Sequence, residues 1–358
     1  MRGIDCFIRV ACFVIILGAA AGQGLAGDSQ GTGMLPLGME VSVPLESTSS
    51  VDEFTSWQAA QTELGTAVGE TEESDLIFRG ASRKSSLSRQ ILNKSGLSSM
   101  TQVWANAYLG GGTLEPQNTP EMDRDLLGAM VGMNFSMLGG TVSGFYNYNK
   151  GSLEAQNSSL DQTTNLGGIG YSNSASCIYW SLVGAGGIDS YETSGAMPAR
   201  SFDGWQALGL IEVGGEMDTG SLFVLRPFTM LQYSYLKHDG LPDVFEEQKN
   251  AAFWSTMGSR VDIRLGSDTF KIQGRMAWVH QLLSDNDPIT NYWFGRVAGT
   301  VTPSQCHFTG STGRDYFWGG IGLKMAFFSR IAISLDYDVL MNGYQNVQLG
   351  SLGLLMAF

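Results

Sequence analysis

Residues 330–339 read RIAISLDYDV, and apolar and polar side chains alternate along this stretch. Leu335 and Tyr337 fall on one face of an extended chain, while Asp336 and Asp338 fall on the other. Because successive side chains of a β-strand point to opposite faces, this alternation predicts a strand with one apolar and one polar face.

The same pattern recurs from residue 101 to the last residue, separated by turns rich in Gly, Asn, Asp and Ser. Many of the stretches are longer than the five or six residues of an ordinary soluble strand and approach the roughly 9–11 residues that cross a bilayer at a tilt. We predict twelve strands, at 101–111, 124–137, 140–150, 162–173, 176–190, 203–217, 221–236, 249–265, 268–283, 315–327, 329–340 and 346–358.

The composition excludes two classes of protein, intrinsically disordered chains and basic nucleic-acid binders. The 358 residues include 21 Lys and Arg against 34 Asp and Glu, which gives a net charge of −13, and only 15% are charged. Hydrophobic residues make up 43% and there are 47 glycines. High hydrophobicity excludes a disordered chain, and the acidic balance excludes a basic nucleic-acid binder. A chain rich in glycine and aromatic residues but poor in charge suits a barrel in lipid.

The connections decide between a soluble β-sandwich and a membrane barrel. The predicted gaps alternate between long and short: the long ones are 112–123, 151–161, 191–202, 237–248, 284–314 and 341–345. Bacterial outer-membrane barrels combine an even number of strands with short periplasmic turns and long external loops, which a sandwich has no reason to do. The fold class is therefore all-β, a single transmembrane antiparallel up-and-down barrel of about twelve strands spanning 101–358. We assign 292–302 to the longest external loop.

Aromatic residues occur where the girdles of such a barrel are expected. They are Trp104, Tyr108, Tyr146, Tyr148, Tyr179, Trp180, Tyr233, Tyr235, Phe317, Trp318 and Tyr337.

The segment before the barrel has two parts. Residues 1–26 resemble a signal peptide, with Arg2 before an apolar stretch at 10–17 and small residues after it. Residues 27–99 are polar, with one predicted helix at 82–93, and form an exported linker or short passenger.

Closure follows from the physics of the backbone. An unpaired N–H or C=O group in hydrocarbon costs several kcal/mol, so no open sheet edge persists there. The first strand, 101–111, must therefore pair with the last, 346–358. In this topology Cys177 lies near the inner rim and Cys306 in the longest outer loop, so we expect no disulfide between them.

Several motifs resemble the translocator (β) domain of bacterial autotransporters over 101–358. The first strand, VWANAYLGG at 103–111, is similar to the family's opening strand and contains Trp104 and Gly110. Pro227 belongs to a mid-barrel Pro-aromatic pair, and Glu212 sits where the family carries a lumen-facing Glu. The stretch AWVHQL at 277–282 resembles the family's GWxHEL.

The resemblance implies several properties. A terminal aromatic is what the outer-membrane assembly machinery recognises, so Phe358, with Met356 and Leu354, is the expected assembly signal. The implied location is the bacterial outer membrane, after signal-dependent export, and the implied activity is type V secretion. The implied partners are outer-membrane lipids, the barrel assembly machinery, periplasmic chaperones and the protein's own N-terminal segment, with helix 82–93 threading the lumen. Only 27–99 is available as passenger here, whereas the family usually carries a long β-helix.

Charged residues on the polar faces are the candidates for the lumen wall. We expect them to pair with one another or to hydrate the pore and hold a segment inside it, and we expect Asp336 and Asp338 to pair with Arg330 and Lys324. The candidates are Glu212, Arg226, Arg260, Asp262, Arg264, Lys271, Arg275, Lys324, Arg330, Asp336 and Asp338.

Three functions remain open on the sequence. The first is a translocator that anchors or exports the N-terminal segment, and the second is a porin-like channel or a surface-binding protein. The third is an embedded hydrolase, for which His280 and His307 are the candidate bases. Neither histidine has a sequence-linked nucleophile, so we predict no enzyme and no catalytic, cofactor or metal site.

Overall fold

The computed structural model describes residues 101–114, 121–155, 158–175, 177–195, 199–218, 222–240, 247–265, 269–286, 289–297, 300–308, 314–327 and 330–358. The predicted signal peptide at 1–26 and the segment 27–99 with its helix at 82–93 lie outside these ranges. No helix long and apolar enough to cross a membrane occurs within the described ranges.

The described chain is built of antiparallel strands. They are β1 (Gln102–Leu114), β2 (Met122–Met137), β3 (Gly140–Ala155), β4 (Ser158–Ala175), β5 (Ile178–Gly195), β6 (Arg200–Gly215), β7 (Met217–Asp218), β8 (Phe223–His238), β9 (Gln248–Arg264), β10 (Phe270–Asn286), β11 (Ile289–Val297), β12 (Thr300–Phe308), β13 (Asp315–Phe327), β14 (Ile331–Met341) and β15 (Gln345–Ala357).

Twelve long strands close into one barrel. Each pairs with its sequence neighbour in the sheet, β10 pairs with β13, and β6 pairs directly with β8. The seam is the antiparallel pair of β1 and β15, which runs in register from Gln102 opposite Ala357 to Leu114 opposite Gln345. The predicted closure of first strand on last strand is confirmed. The two-residue strand β7 continues β6 along β8 after Glu216.

The barrel is apolar outside and polar inside. On β14, Leu335 and Tyr337 are 56% and 44% exposed, whereas Asp336 and Asp338 are only 2% and 4% exposed. The same alternation of outward apolar and inward polar side chains holds on β10, where Met276 is exposed and Arg275 is buried. An outward apolar face meets lipid favourably, and the polar face is left to the interior.

The predicted alternation of long and short connections is wrong in part. The predicted loop at 151–161 shrinks to 156–157, because β3 and β4 stay paired as far as Ala155 and Ser158. The predicted loop at 191–202 shrinks to 196–199. Gly, Ser and Thr in these stretches are typical of loops, but the strand pairing continues through them. Leu153 lies opposite Leu160, and the Tyr191 ring stacks on the Phe202 ring with centroids 4.7 Å apart.

The longest connection also differs from expectation. Residues 292–302 add no strand to the barrel, as predicted, but they are not an irregular loop. They belong to β11 and β12, which pair only with each other in the described sheet topology and form a two-stranded ribbon between β10 and β13.

The short turn between β2 and β3 is the predicted Leu138-Gly139. Both residues have positive φ, 54° at Leu138 and 73° at Gly139. Two central residues with positive φ define the type I′ turn whose twist matches that of a two-residue hairpin.

The predicted girdle is wrong for four aromatics. Trp104, Tyr108 and Trp318 are buried at 4% or less and lie on the inward face. Tyr179 also faces inward, where its hydroxyl accepts a hydrogen bond from Arg260. Their strands carry apolar residues on both faces, so the alternation of side chains does not show which face points toward lipid. The girdle aromatics that the structure leaves exposed on the outer surface are Tyr146, Tyr148, Trp180, Tyr233, Phe317 and Tyr337.

Cys177 lies in the short β4–β5 connection. It is disulfide-bonded, and the side chain of Cys306 lies outside the described residues. The predicted absence of a Cys177–Cys306 bond therefore stays a prediction.

Inward aromatic rings pack over glycines of the neighbouring strand. A Cβ added to Gly128 of β2 would overlap the Tyr108 ring, and one added to Gly132 would overlap the Trp104 ring. The Tyr108 hydroxyl then donates a hydrogen bond to Asn147 Oδ1 at 2.7 Å, one strand further on. Glycine at these positions lets a ring of β1 cross β2 and tie β1 to β3.

Replacing Gly128 with Ala is expected to displace Tyr108, break this hydrogen bond and destabilise the barrel by about 1–3 kcal/mol, the usual cost of overpacking. The measurement is the temperature at which the folded band converts to the unfolded band on an SDS gel. Gly144→Ala is the matched control, because nothing lies within 4 Å of a Cβ added at Gly144 of β3. Equal shifts for the two variants would contradict this account of the Tyr108 packing.

Candidate functional site

Three arginines stand side by side on the inner wall. Arg226 of β8 lies opposite Arg260 of β9, and Arg260 lies opposite Arg275 of β10. All three are at least 94% buried. We call them the arginine row. Like charges directly opposite each other on neighbouring strands repel, so the row requires carboxylates around it.

Arg260 pairs with Glu212, which lies on β6 beyond the intervening strand β8. Its Nη1 donates to Glu212 Oε1 at 2.6 Å and its Nη2 donates to Oε2 at 3.0 Å, a bidentate pair. The guanidinium carbon stands 4.1 Å from the centre of the Phe228 ring, and Nη1 also donates to the Tyr179 hydroxyl at 3.2 Å. This arginine therefore ties β5, β6 and β9 together.

Arg226 occupies the first place in the row. Its Nε donates to Glu216 Oε2 at 3.2 Å, and its Nη1 donates to Asp262 Oδ2. Asp262 also accepts a hydrogen bond at 2.6 Å from Gln273, whose Oε1 in turn accepts one from Lys324 Nζ at 3.1 Å. A continuous polar chain thus links β8, β9, β10 and β13.

Arg275 holds both aspartates of β14. Its Nη2 donates to Asp338 Oδ2 at 2.8 Å and its Nη1 to Asp336 Oδ1 at 3.1 Å. Trp318 Nε1 donates to Asp338 Oδ1 at 3.1 Å. The structure therefore gives these aspartates an arginine partner two strands away that the sequence reasoning missed.

Glycine makes this long pairing possible. Gly320 of β13 lies between Arg275 and Asp338 in the register of the three strands. A Cβ at Gly320 would lie 2.5 Å from both Arg275 Nε and Asp338 Oδ1, and one at Gly322 would overlap Asp336. Side chains here would separate the ion pair, so the glycines of β13 leave the gap through which it forms.

The remaining lumen candidates lie near the rim with the short turns. Arg264, Lys271 and Lys324 are neighbours in register on β9, β10 and β13, the first two half-buried and the third buried. Arg330 departs from expectation, since it is exposed in the turn before β14. Arg330 is even-numbered like the inward-facing Asp336 and Asp338, but β14 begins only at Ile331, so Arg330 is not part of the strand.

The opposite inner wall is polar but almost free of charge. Trp104 Nε1 donates to Asn134 Oδ1 at 3.1 Å, and Asn134 Nδ2 donates to Gln102 Oε1 at 3.2 Å. On β5, Asp189 accepts hydrogen bonds from Thr164 Oγ1 at 2.6 Å and from Gln206 Nε2 at 2.9 Å. The sequence analysis named none of these amides. The alternation of inward and outward side chains that places Glu212 inside would also have placed the even-numbered residues of β1 and β2 on the inner face.

His280 lies on the outer face and not in the lumen. Its Nδ1 is 2.8 Å from Asp315 Oδ1, which also accepts a hydrogen bond at 2.9 Å from Trp278 Nε1. The two rings stack with centroids 5.2 Å apart. This arrangement supplies a histidine and an acid at the surface of the barrel. The Ser255 hydroxyl donates to the backbone carbonyl of His280 at 3.4 Å, and this hydrogen bond does not involve the imidazole. His307 has no described side chain.

The last residues of the chain form the end of β15 and turn apolar side chains toward the outer surface of the barrel. The Phe358 amide donates to the carbonyl of Thr101 at 3.0 Å, and the Leu354 and Phe358 side chains are exposed on the outer face. The role of Phe358, Met356 and Leu354 in assembly stays a prediction.

Comparison with known proteins identifies the family. The family model described as "Autotransporter beta-domain" matches residues 103–338, more than half of the chain. The chain therefore belongs to the autotransporter β-domain family, and it is an outer-membrane β-barrel translocator. The family is one of secretion barrels and not of enzymes. A search of the curated proteins finds no match.

Solved structures show the same fold. The translocator domain of the autotransporter NalP from Neisseria meningitidis is 16% identical, with a TM-score of 0.56, over 78% of this chain and 98% of that one. The β-domain of the Bordetella autotransporter BrkA is 14% identical, with a TM-score of 0.56, over 73% and 100%. The transport unit of AIDA-I from Escherichia coli is 12% identical, with a TM-score of 0.56, over 72% and 90%.

Replacing Arg275 with Met leaves Asp336 and Asp338 as adjacent buried charges without their arginine. We expect a loss of about 3–5 kcal/mol in stability, the usual cost of removing one partner of a buried pair. The triple variant Arg275→Met, Asp336→Asn, Asp338→Asn removes the charges together and is expected to be more stable than the single variant. Thermal unfolding of the folded band measures both, and a triple variant weaker than the single one would contradict this pairing.

Proposed function

We propose that the barrel carries segment 27–99 to the cell surface through its own lumen and keeps it anchored there, the arrangement called type V secretion. Signal-dependent export by 1–26, escort by periplasmic chaperones and insertion by the barrel assembly machinery belong to the same proposal. Family membership supports them, because these steps precede translocation in autotransporters.

The observation that carries the proposal is where the barrel begins. The hydrogen bond from the Phe358 amide to the Thr101 carbonyl, 3.0 Å long, joins the start of β1 to the end of β15. The two-residue β2–β3 turn lies at the same rim, since Gln102 is opposite Asn134 near the end of β2. The preceding segment therefore joins the barrel at the rim with the short turns, which faces the periplasm in such barrels.

The interior supports a route through the barrel. The wall is a closed ladder, so a chain that starts at the periplasmic rim reaches the surface without entering lipid only by way of the lumen. Paired charges and amides on the inner face suit a hydrated polypeptide, whereas hydrocarbon would strip its backbone of hydrogen bonds.

An epitope tag inserted after Glu46 tests the proposal directly. We expect antibody to bind this tag on intact cells as well as it does after the outer membrane is permeabilised. A tag inserted after Leu138, in the short β2–β3 turn, is the control and should become accessible only after permeabilisation. Detection of the Glu46 tag only in permeabilised cells, with the barrel folded, would contradict export and favour a channel that retains its N-terminal segment.

A further inference from the structure

A cleft of about 620 Å³ lies on the outer surface of the barrel, across the ends of β1–β5 that are remote from the short turns. The side nearer to the short turns is apolar and is formed by Leu109 and Leu127. The other side is polar, and its outward side chains are those of Asp125, Lys150, Ser152, Asp161, Thr163 and Glu192. The cleft therefore joins an apolar part of the wall to a charged part.

The cleft lies at the outer edge of the band that faces hydrocarbon. On β2 the outward residues from Leu127 to Met137 are all apolar, and the next outward residue, Asp125, is charged. The apolar stretch spans roughly 25 Å for a strand tilted by about 40°, which is the height of the apolar band of such barrels. On β3 the change comes at Lys150, directly after the exposed Tyr148. Tyrosine marks the level of the lipid head groups, so the cleft lies at that level.

The charges in the cleft are ordered along the barrel axis. Lys150 is exposed and is level with the last apolar residue of β2, because it lies opposite Leu127. The carboxylates of Asp125 and Asp161 both lie opposite Ser152. This position is one outward step further from the short turns, about 6–7 Å along the strand. From the membrane outward, the order is therefore apolar, cationic, anionic.

Asp161 and Glu192 form a like-charged pair. They lie directly opposite each other on β4 and β5, and both are exposed on the outer face. Like charges at directly opposite positions repel each other and destabilise the sheet. With Asp125 and Lys150, the cleft holds three carboxylates and one ammonium group. A purely anionic ligand is therefore disfavoured, and a ligand that brings a cation to Asp161 and Glu192 is favoured.

A phospholipid with a phosphoethanolamine head group has the complementary order of groups. Its acyl chains are apolar, its phosphate is anionic, and its primary ammonium group, two methylene groups further out, is cationic. This separation fits one outward step along a strand, about 7 Å. The primary ammonium group has N–H donors for carboxylates, and hydrogen bonds between ionised groups are stronger than neutral ones. A choline head group carries the same charge but has no N–H group to donate.

We propose that this cleft is a binding site for an outer-leaflet phospholipid with a phosphoethanolamine head group. The acyl chains lie against Leu109 and Leu127, and the phosphate pairs with Lys150. The ammonium group pairs with Asp161 and Glu192 and relieves their repulsion. The site requires the barrel to lie in the outer membrane but does not require export of segment 27–99, so it goes beyond the proposed function.

Native mass spectrometry of the full-length folded protein tests the proposal. The protein in detergent micelles is mixed with phosphatidylethanolamine, phosphatidylcholine and phosphatidylglycerol of identical acyl chains, and the fraction of protein that retains each lipid is measured. We expect phosphatidylethanolamine to be retained about two- to fivefold more than phosphatidylcholine, the usual value of an exposed ion pair. Equal retention of these two lipids, or strongest retention of phosphatidylglycerol, would overturn the proposal.

Two variants separate the phosphate contact from the ammonium contact. Lys150→Gln is expected to lower the retention of phosphatidylethanolamine and phosphatidylcholine alike, by about two- to fivefold, because both lipids have a phosphate. The double variant Asp161→Asn, Glu192→Gln is expected to remove the preference for phosphatidylethanolamine and to leave the retention of phosphatidylcholine unchanged. A preference that survives in the double variant, or unchanged retention in Lys150→Gln, contradicts the assigned contacts and overturns the proposal.

Lys249→Gln and Glu247→Gln are the matched controls. These two residues form an ion pair at 3.3 Å at the outer end of β9 and do not line the cleft. Neither control is expected to change the retention of any of the three lipids, and a loss as large as in the cleft variants would show that surface charge in general, and not this cleft, holds the lipid. All the substituted side chains are exposed on the outer surface, so we expect each variant to give a folded, heat-modifiable barrel.

Discussion

The structure depends on one constraint, the need of every backbone N–H and C=O group within hydrocarbon for a partner from the chain itself. An open sheet of twelve strands would expose two unpaired edges to lipid, at several kcal/mol for each group. Pairing β1 with β15 removes both edges at once. This seam then fixes much else, because it brings Thr101 and Phe358 to one rim and so determines from which side the N-terminal segment approaches the lumen.

Closure also turns the usual distribution of side chains inside out. Apolar residues face lipid, and the interior must hold the polar residues without leaving a buried charge unpaired. The chain does so in two ways. The wall formed by β8, β9 and β10 carries the arginine row with its surrounding carboxylates, whereas the wall formed by β1 to β5 uses amides, hydroxyls and aromatic rings packed over glycines. Asp189 on the second wall is a carboxylate held by neutral donors, the Thr164 hydroxyl and the Gln206 amide.

Much of the fold follows from the sequence, since period-two alternation locates the strands and a closed ladder is the one arrangement of them that suits lipid. Parity was sufficient to identify Glu212, Arg260 and Arg275 as polar-face residues. It was insufficient for Trp104 and Tyr108, whose strand is apolar on both faces. The pairing of Arg275 with Asp336 and Asp338 was missed because it spans an intervening strand, and only the register reveals that Gly320 leaves room between them.

The central claim is that the barrel is sealed between its first and last strands, and cysteine cross-linking tests it most directly. Ala105 lies opposite Leu354 in the seam, and Leu354 lies opposite Ile333 on the next strand. In the folded protein, the pair Ala105→Cys and Leu354→Cys is expected to form a disulfide on oxidation, detected as a linked peptide pair by mass spectrometry. The pair Ala105→Cys and Ile333→Cys, two strands apart, should not, since such cysteines exceed the roughly 7 Å limit for bridging. Failure of the first pair to link in folded protein, or equal linking of both, would contradict a sealed barrel.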